Sequence, residues 1–276
     1  MVAFRSSKPK VGVQIPRAAF KCYIMQVFFF LFIMVITLQQ MIQAGLHIGH
    51  FSHQWNPKMI PYIYKEKNSI HIIDLVQTYF YLQKALHFLY NSTAQGKTIL
   101  FVGTKKQVSK LVERTANQCN SFFVTERWLG GLLTNWLTVQ KSISKLALLE
   151  NQKRKIDNLQ LSKKEISRLK KKKDRLEKYL GGLKNMTSLP DIVIIIDQQR
   201  EITAVQECQK LGIRSITILD TNGDPNLADL FIPGNDDSIA ALNLILNELS
   251  QCIILGQRKF KNYTNSSFFK LKKRNL

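Results

Sequence analysis

No G-x-G-x-x-G and no G-x-x-x-x-G-K-[ST] follows the apolar run Thr98–Val102, the one place where a strand runs into a glycine turn and a basic helix start. The dinucleotide and P-loop fingerprints are therefore both missing where a nucleotide would need them. Cysteine is sparse: Cys22, Cys119, Cys208 and Cys252 are far apart and form no C-x-x-C pair. That excludes a disulfide framework and a four-cysteine zinc site, and makes reduced, buried thiols in an intracellular compartment the default. Acid is scarce too, with 19 Asp/Glu against 40 Lys/Arg in 276 residues, a net charge of +21. A polyanionic partner follows from that balance, though nothing about the fold does.

The excess charge is unevenly placed. Residues 1–33 carry five Lys/Arg and no acid, residues 141–178 fourteen against five acids, and residues 257–276 seven and no acid. What remains is neutral but polarised: residues 34–140 hold ten bases and four acids, residues 179–256 four bases and ten acids. The first half is the one expected to face the polyanion.

The ten residues Arg127–Trp136, R-W-L-G-G-L-L-T-N-W, lie between a buried strand and a charged helical segment. Two adjacent glycines there give up side-chain burial and admit another backbone. A nucleic-acid strand suits this surface: Arg127 pairs with phosphate, Trp128 and Trp136 pack on sugars or bases, and Asn135 donates and accepts. The plainer reading is a helix start whose tryptophans are core anchors.

Tyr23–Leu38 is almost wholly apolar behind a basic segment. It resembles a signal peptide or a short anchor, yet falls below the roughly 20 apolar residues of a spanning helix. The other reading is that translation starts at Met34, leaving a first helix with Leu38, Met41 and Ile42 on one face. His47, His50 and His53 then recur every third residue, a spacing that could collect a metal. Gly45, Gly49 and Pro57 argue for loop, and no Cys or carboxylate is near in sequence, so no metal is expected. Packing and phosphate contact by His50, His53 and Lys58, with Trp55 as anchor, is the expectation.

Ile70–Ile73 reads as a strand and Asp74–Thr93 as a helix, with Leu75, Tyr79, Leu82, Leu86 and Leu89 at helical spacing and Gly96 ending it. Thr98–Val102 is a strand buried on both faces, followed by a helix from Lys105 to about Asn117 and a strand Ser121–Val124. The G-T-K-K turn, with Lys105 and Lys106, suits an oxyanion at a helix start. In residues 138–180, Leu146, Leu149, Lys153 and Ile156, then Ile166, Leu169, Lys173, Leu176 and Leu180, alternate at three and four, with a break at Asn158–Ser162. This predicts a projecting two-helix antiparallel hairpin with a thin apolar seam. Lys170, Lys171, Lys172 and Lys173 on that arm point to RNA or an acidic neighbour.

From Gly181 the pattern returns to strand and helix: Asp191–Ile196, helix Glu201–Leu211 stopped by Gly212, strand Ser215–Leu219, strand Leu230–Ile232, and helix Ser238–Ile254 capped by Asn235 or Asp236. Strands separated by such helices mean a mostly parallel, doubly wound α/β sheet. Asp197, Asp220 and Asp224 sit at strand ends, where a magnesium or acid/base site must be weighed. No nucleophile or phosphate loop accompanies them, and such turns usually bond their own backbone. The tail from Arg258 reads as disordered.

In order along the chain stand G-L-H-I-G-H with W-N-P-K-M, I-L-F-V-G-T-K, R-W-L-G-G-L-L-T-N-W, Y-L-G-G-L-K, L-P-D-I-V-I-I-I-D, D-T-N-G-D-P and I-P-G-N-D-D-S. Residues 36–256 thereby resemble the S-two protein family of the small ribosomal subunit, and D-I-V-I-I-I-D-Q with A-V-Q-E-C resembles plastid members most. The resemblance implies a flavodoxin-like, Rossmann-like domain with an inserted α-helical coiled-coil hairpin. It implies a structural, rRNA-binding constituent of a plastid (chloroplast) ribonucleoprotein, the small ribosomal subunit, serving translation beside neighbouring ribosomal proteins. No catalysis, cofactor, small-molecule substrate or stable membrane association is implied. The contacts it implies lie around His50, Trp55, Lys58, Lys105, Arg127, Trp128, Asn135 and Trp136. The expected division is an extension 1–33, α/β parts 34–140 and 181–256, the hairpin 141–180 and a basic tail 257–276. The competing readings are a nucleotide- or metal-dependent enzyme on a Rossmann-like sheet and a membrane-tethered adaptor using the apolar leader.

Overall fold

The structure, a computed structural model, describes residues 36–153 and 163–274; the extension 1–33 and the break Asn158–Ser162 lie outside the described residues. The apolar runs become a five-stranded parallel sheet of β4 (Ile99–Val102), β5 (Phe122–Val124), β6 (Ile192–Ile196), β7 (Arg214–Leu219) and β8 (Leu230–Pro233). Its spatial order is β5-β4-β6-β7-β8. Counting only these strands, that is 2-1-3-4-5, the flavodoxin-like winding, which opens a crevice where the order reverses between β4 and β6. Every residue of β4 and β6 is buried, because helices cover both faces of a parallel sheet.

One face carries the cluster of Leu100, Val102, Val124, Val193 and Ile195 with Ala204, Val205 and Cys208 of α6 (Ile202–Leu211). Trp128, Leu132, Leu133, Leu183 and Met186 belong to the same cluster. Phe101 and Ile194, one step along their strands, point to the opposite side. There the sequence supplies α2 (Leu75–Thr93), capped by the Asp74 carboxylate on the Val76 N–H, α3 (Lys106–Gln118) and α7 (Ile239–Arg274). α7 packs against both α2 and α3. Its stretch Ile239–Tyr263 is long and apolar enough to cross a membrane, and over half of its most apolar window is buried in the body.

The structure departs from expectation at three places. Residues 44–67 contain two strands, β1 (Ile48–Phe51) and β2 (Ile63–Lys67), which flank β3 (Ile70–Ile73) antiparallel in a separate small sheet. Their glycines and prolines read as loop, and the mostly exposed β2 has no apolar face to show in sequence. A two-residue turn with Asn68 at φ 53 and Ser69 at φ 59 closes the β2–β3 hairpin, the left-handed pair that such a turn requires. Second, α7 does not stop at Ile254 but runs as one helix to Arg274. Third, in α1 (Leu38–Gln43) only Met41 is buried, while Leu38 and Ile42 are exposed.

The insert consists of α4 (Trp136–Lys153) and α5 (Lys163–Leu180), which touch each other. Within α5 the seam positions Ile166, Leu169, Lys173 and Leu176 are half-buried and Leu180 is buried, while Lys170, Lys171 and Lys172 are exposed. At the root, Lys184 Nζ reaches Glu150 (2.6 Å) and Glu177 (3.1 Å), tying both helices to the chain that returns to the sheet.

Candidate functional site

Two constellations emerge, one at the crevice and one at the root of the insert. At the crevice, β4 ends in Gly103-Thr104-Lys105, β6 in Asp197, β7 in Asp220 and β8 in Gly234-Asn235-Asp236-Asp237. Lys105 Nζ donates to Asp236 Oδ1 (2.8 Å), Asp237 Oδ1 (2.8 Å) and Asp197 Oδ2 (2.9 Å). Burial pulls this ammonium's pKa down, but Asp236, Asp237 and Asp197 outweigh it, and the net shift is upward. Asp197 holds φ at 64, an uncommon conformation for a non-glycine residue.

His50 arrives from β1. Its N–H donates to Thr221 Oγ1 (3.0 Å) and its Nδ1 lies 3.0 Å from Asp220 Oδ2. The hydrogen bond to Asp220 is the main reason its pKa is raised to about 9. Burial, together with Asp220 and Asp197, pushes Asp236 up to about 7. Lys58 Nζ pairs with Asp224 Oδ2 (2.5 Å), and the Asn56 N–H donates to the Thr221 carbonyl (2.8 Å). The motifs G-L-H-I-G-H and W-N-P-K-M are thus docked on the D-T-N-G-D-P turn, with Trp55 tilted against His71 at 5.1 Å.

The oxyanion expected at Gly103–Lys106 is supplied by the protein itself. The Thr104 N–H and hydroxyl both go to Glu201, whose carboxyl burial pushes upward, and Lys105 is held by aspartates. Only Lys106 of that turn is exposed. As for metals, His47, His50 and His53 do not converge. Among the described residues the grouping that does is His50, Asp220 and Asp236, whose ligand atoms lie within 4.8 Å of one another. Nitrogen and carboxylate donors of that kind suit a divalent cation, and Lys105 already neutralises part of the charge. Sequence reasoning missed the set because its three members lie on three separate segments.

The second constellation is the Arg127–Trp136 stretch. Trp128 is 7 % exposed and belongs to the core cluster, with Trp136 half-buried against it. For the two indoles the core-anchor reading fits the geometry. Arg127, Gly130 and Asn135 are exposed. Asn135 Oδ1 accepts from Thr138 Oγ1 (2.8 Å) at the start of α4. The loop is held from beneath by a buried acid that sequence reasoning passed over, Glu207 of α6. Its carboxylate accepts from the Trp128 indole (3.0 Å) and from the N–H groups of Gly131 (2.8 Å), Leu133 (2.9 Å) and Thr134 (3.0 Å).

A flavodoxin-like sheet whose strand-end carboxylates are matched by its own Lys105 and His50, with a cationic helical insert beside it, is a binding scaffold in class. The family model described as Ribosomal protein S2 matches residues 41–256. The small ribosomal subunit protein uS2c of Oltmannsiellopsis viridis is 55 % identical over 227 residues, 82 % of this chain and 95 % of the relative. That of Chlorella vulgaris is 54 % identical over 80 % of this chain and 83 % of the relative, and uS2 of a Synechococcus strain is 50 % identical over 81 % and 84 %. The chain belongs to the ribosomal protein S2 family, and its role is that of a structural, non-enzymatic constituent of the small ribosomal subunit.

Proposed function

We propose that this protein attaches to small-subunit ribosomal RNA and neighbouring proteins of a plastid ribosome through the exposed cations of its first half and its helical arm. An asymmetry among its cations carries the reading. Lys105 and His50 are neutralised inside the fold, and Lys58, though exposed, is paired with Asp224. Lys106, Lys110, Arg114, Arg127, Lys170, Lys171 and Lys172 are exposed and form no ion pair with any described residue. Lys145 even stands close enough to Lys172 to lower the latter's pKa, a repulsion that a polyanion relieves.

On this reading Lys106, Arg127, Asn135 and Lys170 to Lys172 touch the partner, with Lys58 and Lys173 at the margin. His50, Trp55, Lys105, Trp128 and Trp136 hold the surface in shape. The uS2c names of the relatives and the match to them support the plastid ribosome as its place. Titration of the full-length protein with small-subunit rRNA tests this. Affinity should fall by roughly a thousandfold between about 50 and 200 mM salt, and Arg127→Ala should reduce the salt slope by about one. Affinity that does not change with salt overturns it.

A further inference from the structure

Glu207 sits on α6, at 5 % exposure, under a loop that belongs to a different segment of the chain. One oxygen takes the Trp128 indole and the Gly131 N–H; the other takes the N–H groups of Leu133 and Thr134 and, at 3.2 Å, the Thr134 hydroxyl. Among the described residues it forms no ion pair, so its charge is balanced by oriented N–H and O–H donors alone. That is how a loop nest before a helix binds a free anion, and here the helix that follows is α4, the root of the arm. Burial raises the carboxyl's pKa, but the bonds from Thr134, Trp128, Leu133 and Gly131 outweigh it and hold it below the ordinary range. Gly131, at φ 86, takes the left-handed turn that brings its N–H inward.

We propose that Glu207 is the positioning residue of the RNA-facing loop: a built-in anion that shapes Gly131–Thr134, sets the direction in which α4 leaves the body, and thereby presents Arg127 and Asn135. The inference rests on the interface reading above and adds a cause to it. Because the nest is already filled, its N–H groups are withheld from phosphate, and recognition at this loop falls to the side chains of Arg127 and Asn135.

The test uses the full-length protein, as wild type, Glu207→Gln, Trp128→Phe and Arg127→Ala. In the wild type, the Trp128 indole proton and the amide protons of Gly131, Leu133 and Thr134 should titrate together by NMR, at a pH below the usual carboxylate range. In Glu207→Gln that titration disappears, the four resonances move, and rRNA affinity falls roughly tenfold, as expected when a charged acceptor is lost. Amides of β6 should stay in place. Trp128→Phe, which removes a single donor, gives a smaller loss and covers the case that Glu207→Gln fails to fold. Wild-type loop resonances or wild-type affinity in Glu207→Gln, while Arg127→Ala weakens binding, overturns the role of Glu207 alone. Affinity unchanged in both variants overturns it together with the loop's place in the interface.

Discussion

Gly130 shows how one residue separates folding from binding. A Cβ built there meets nothing within 4 Å, and its φ is not left-handed, whereas the neighbouring Gly131 is. Gly130→Ala should therefore leave the isolated protein as stable as before, or up to about 1 kcal/mol more stable, since alanine narrows the unfolded ensemble. If a ribonucleotide or a neighbouring protein lies against that spot, the same methyl group should cut rRNA affinity roughly tenfold or exclude the variant from subunits. Thermal unfolding and sedimentation with small subunits check the two halves of this expectation. Lys105 and Lys106 divide similarly. They are adjacent and identical in the sequence, but one is enclosed by Asp197, Asp236 and Asp237 and the other is open to solvent. Local sequence cannot assign these fates, because the aspartates that decide them come from two other strand ends.

At the scale of elements, the strands and helices of the doubly wound sheet were legible because continuous apolar runs and three-four spacing are local signals. Asp191–Ile196 and Leu75–Leu89 needed no partner to be read. β1 and β2 were not legible, since their pairing with β3 supplies what their own residues lack. The end of α7 was hidden for the same reason. Beyond Ile254 the composition turns polar, yet the helix continues over the ends of α2 and α3: Phe260 lies over Gly96, just past α2, and Gln257 Nε2 donates to the carbonyl of Cys119, which ends α3 (2.8 Å). The closest approach is at Gly256, where a Cβ would fall 1.8 Å from Thr93 Oγ1 and 2.9 Å from the Tyr90 carbonyl. Thr93 cannot turn aside without giving up its bond to the Leu89 carbonyl (2.8 Å). Gly256→Ala should accordingly destabilise the protein by about 1–3 kcal/mol and lower its melting temperature by several degrees. A melting temperature equal to that of the wild type would show that α7 and α2 do not meet this tightly.

Over the whole molecule, the crevice cluster is the common knot of β1, β4, β6, β7 and the turn after β8, so its protonation bears on global stability. His50, raised from 6.5 to about 9, contributes stability that is complete below pH 6.5 and lost as pH rises through 9. Asp236, raised from 3.8 to about 7, works in the same direction over a lower window, its contribution complete below pH 3.8 and lost as pH rises through 7, so the fall above that pH belongs to His50. The melting temperature should fall between pH 6.5 and 9.5 by an amount worth at most about 3 kcal/mol. His50→Gln should flatten that fall, and a wild-type melting temperature independent of pH over this range would contradict the bonding described.

By itself the sequence determined the sheet, the helical insert and the family. Each of these is written in runs, spacings and ordered motifs that neighbouring residues carry without help. Only the tertiary structure decided which cations are spent internally, that Trp128 faces the core, and that Glu207 stands beneath Gly131–Thr134. Those facts depend on segments dozens of residues apart being folded into contact. A charge or an indole has the same local signature whether its partner is a carboxylate across the sheet or a phosphate outside it.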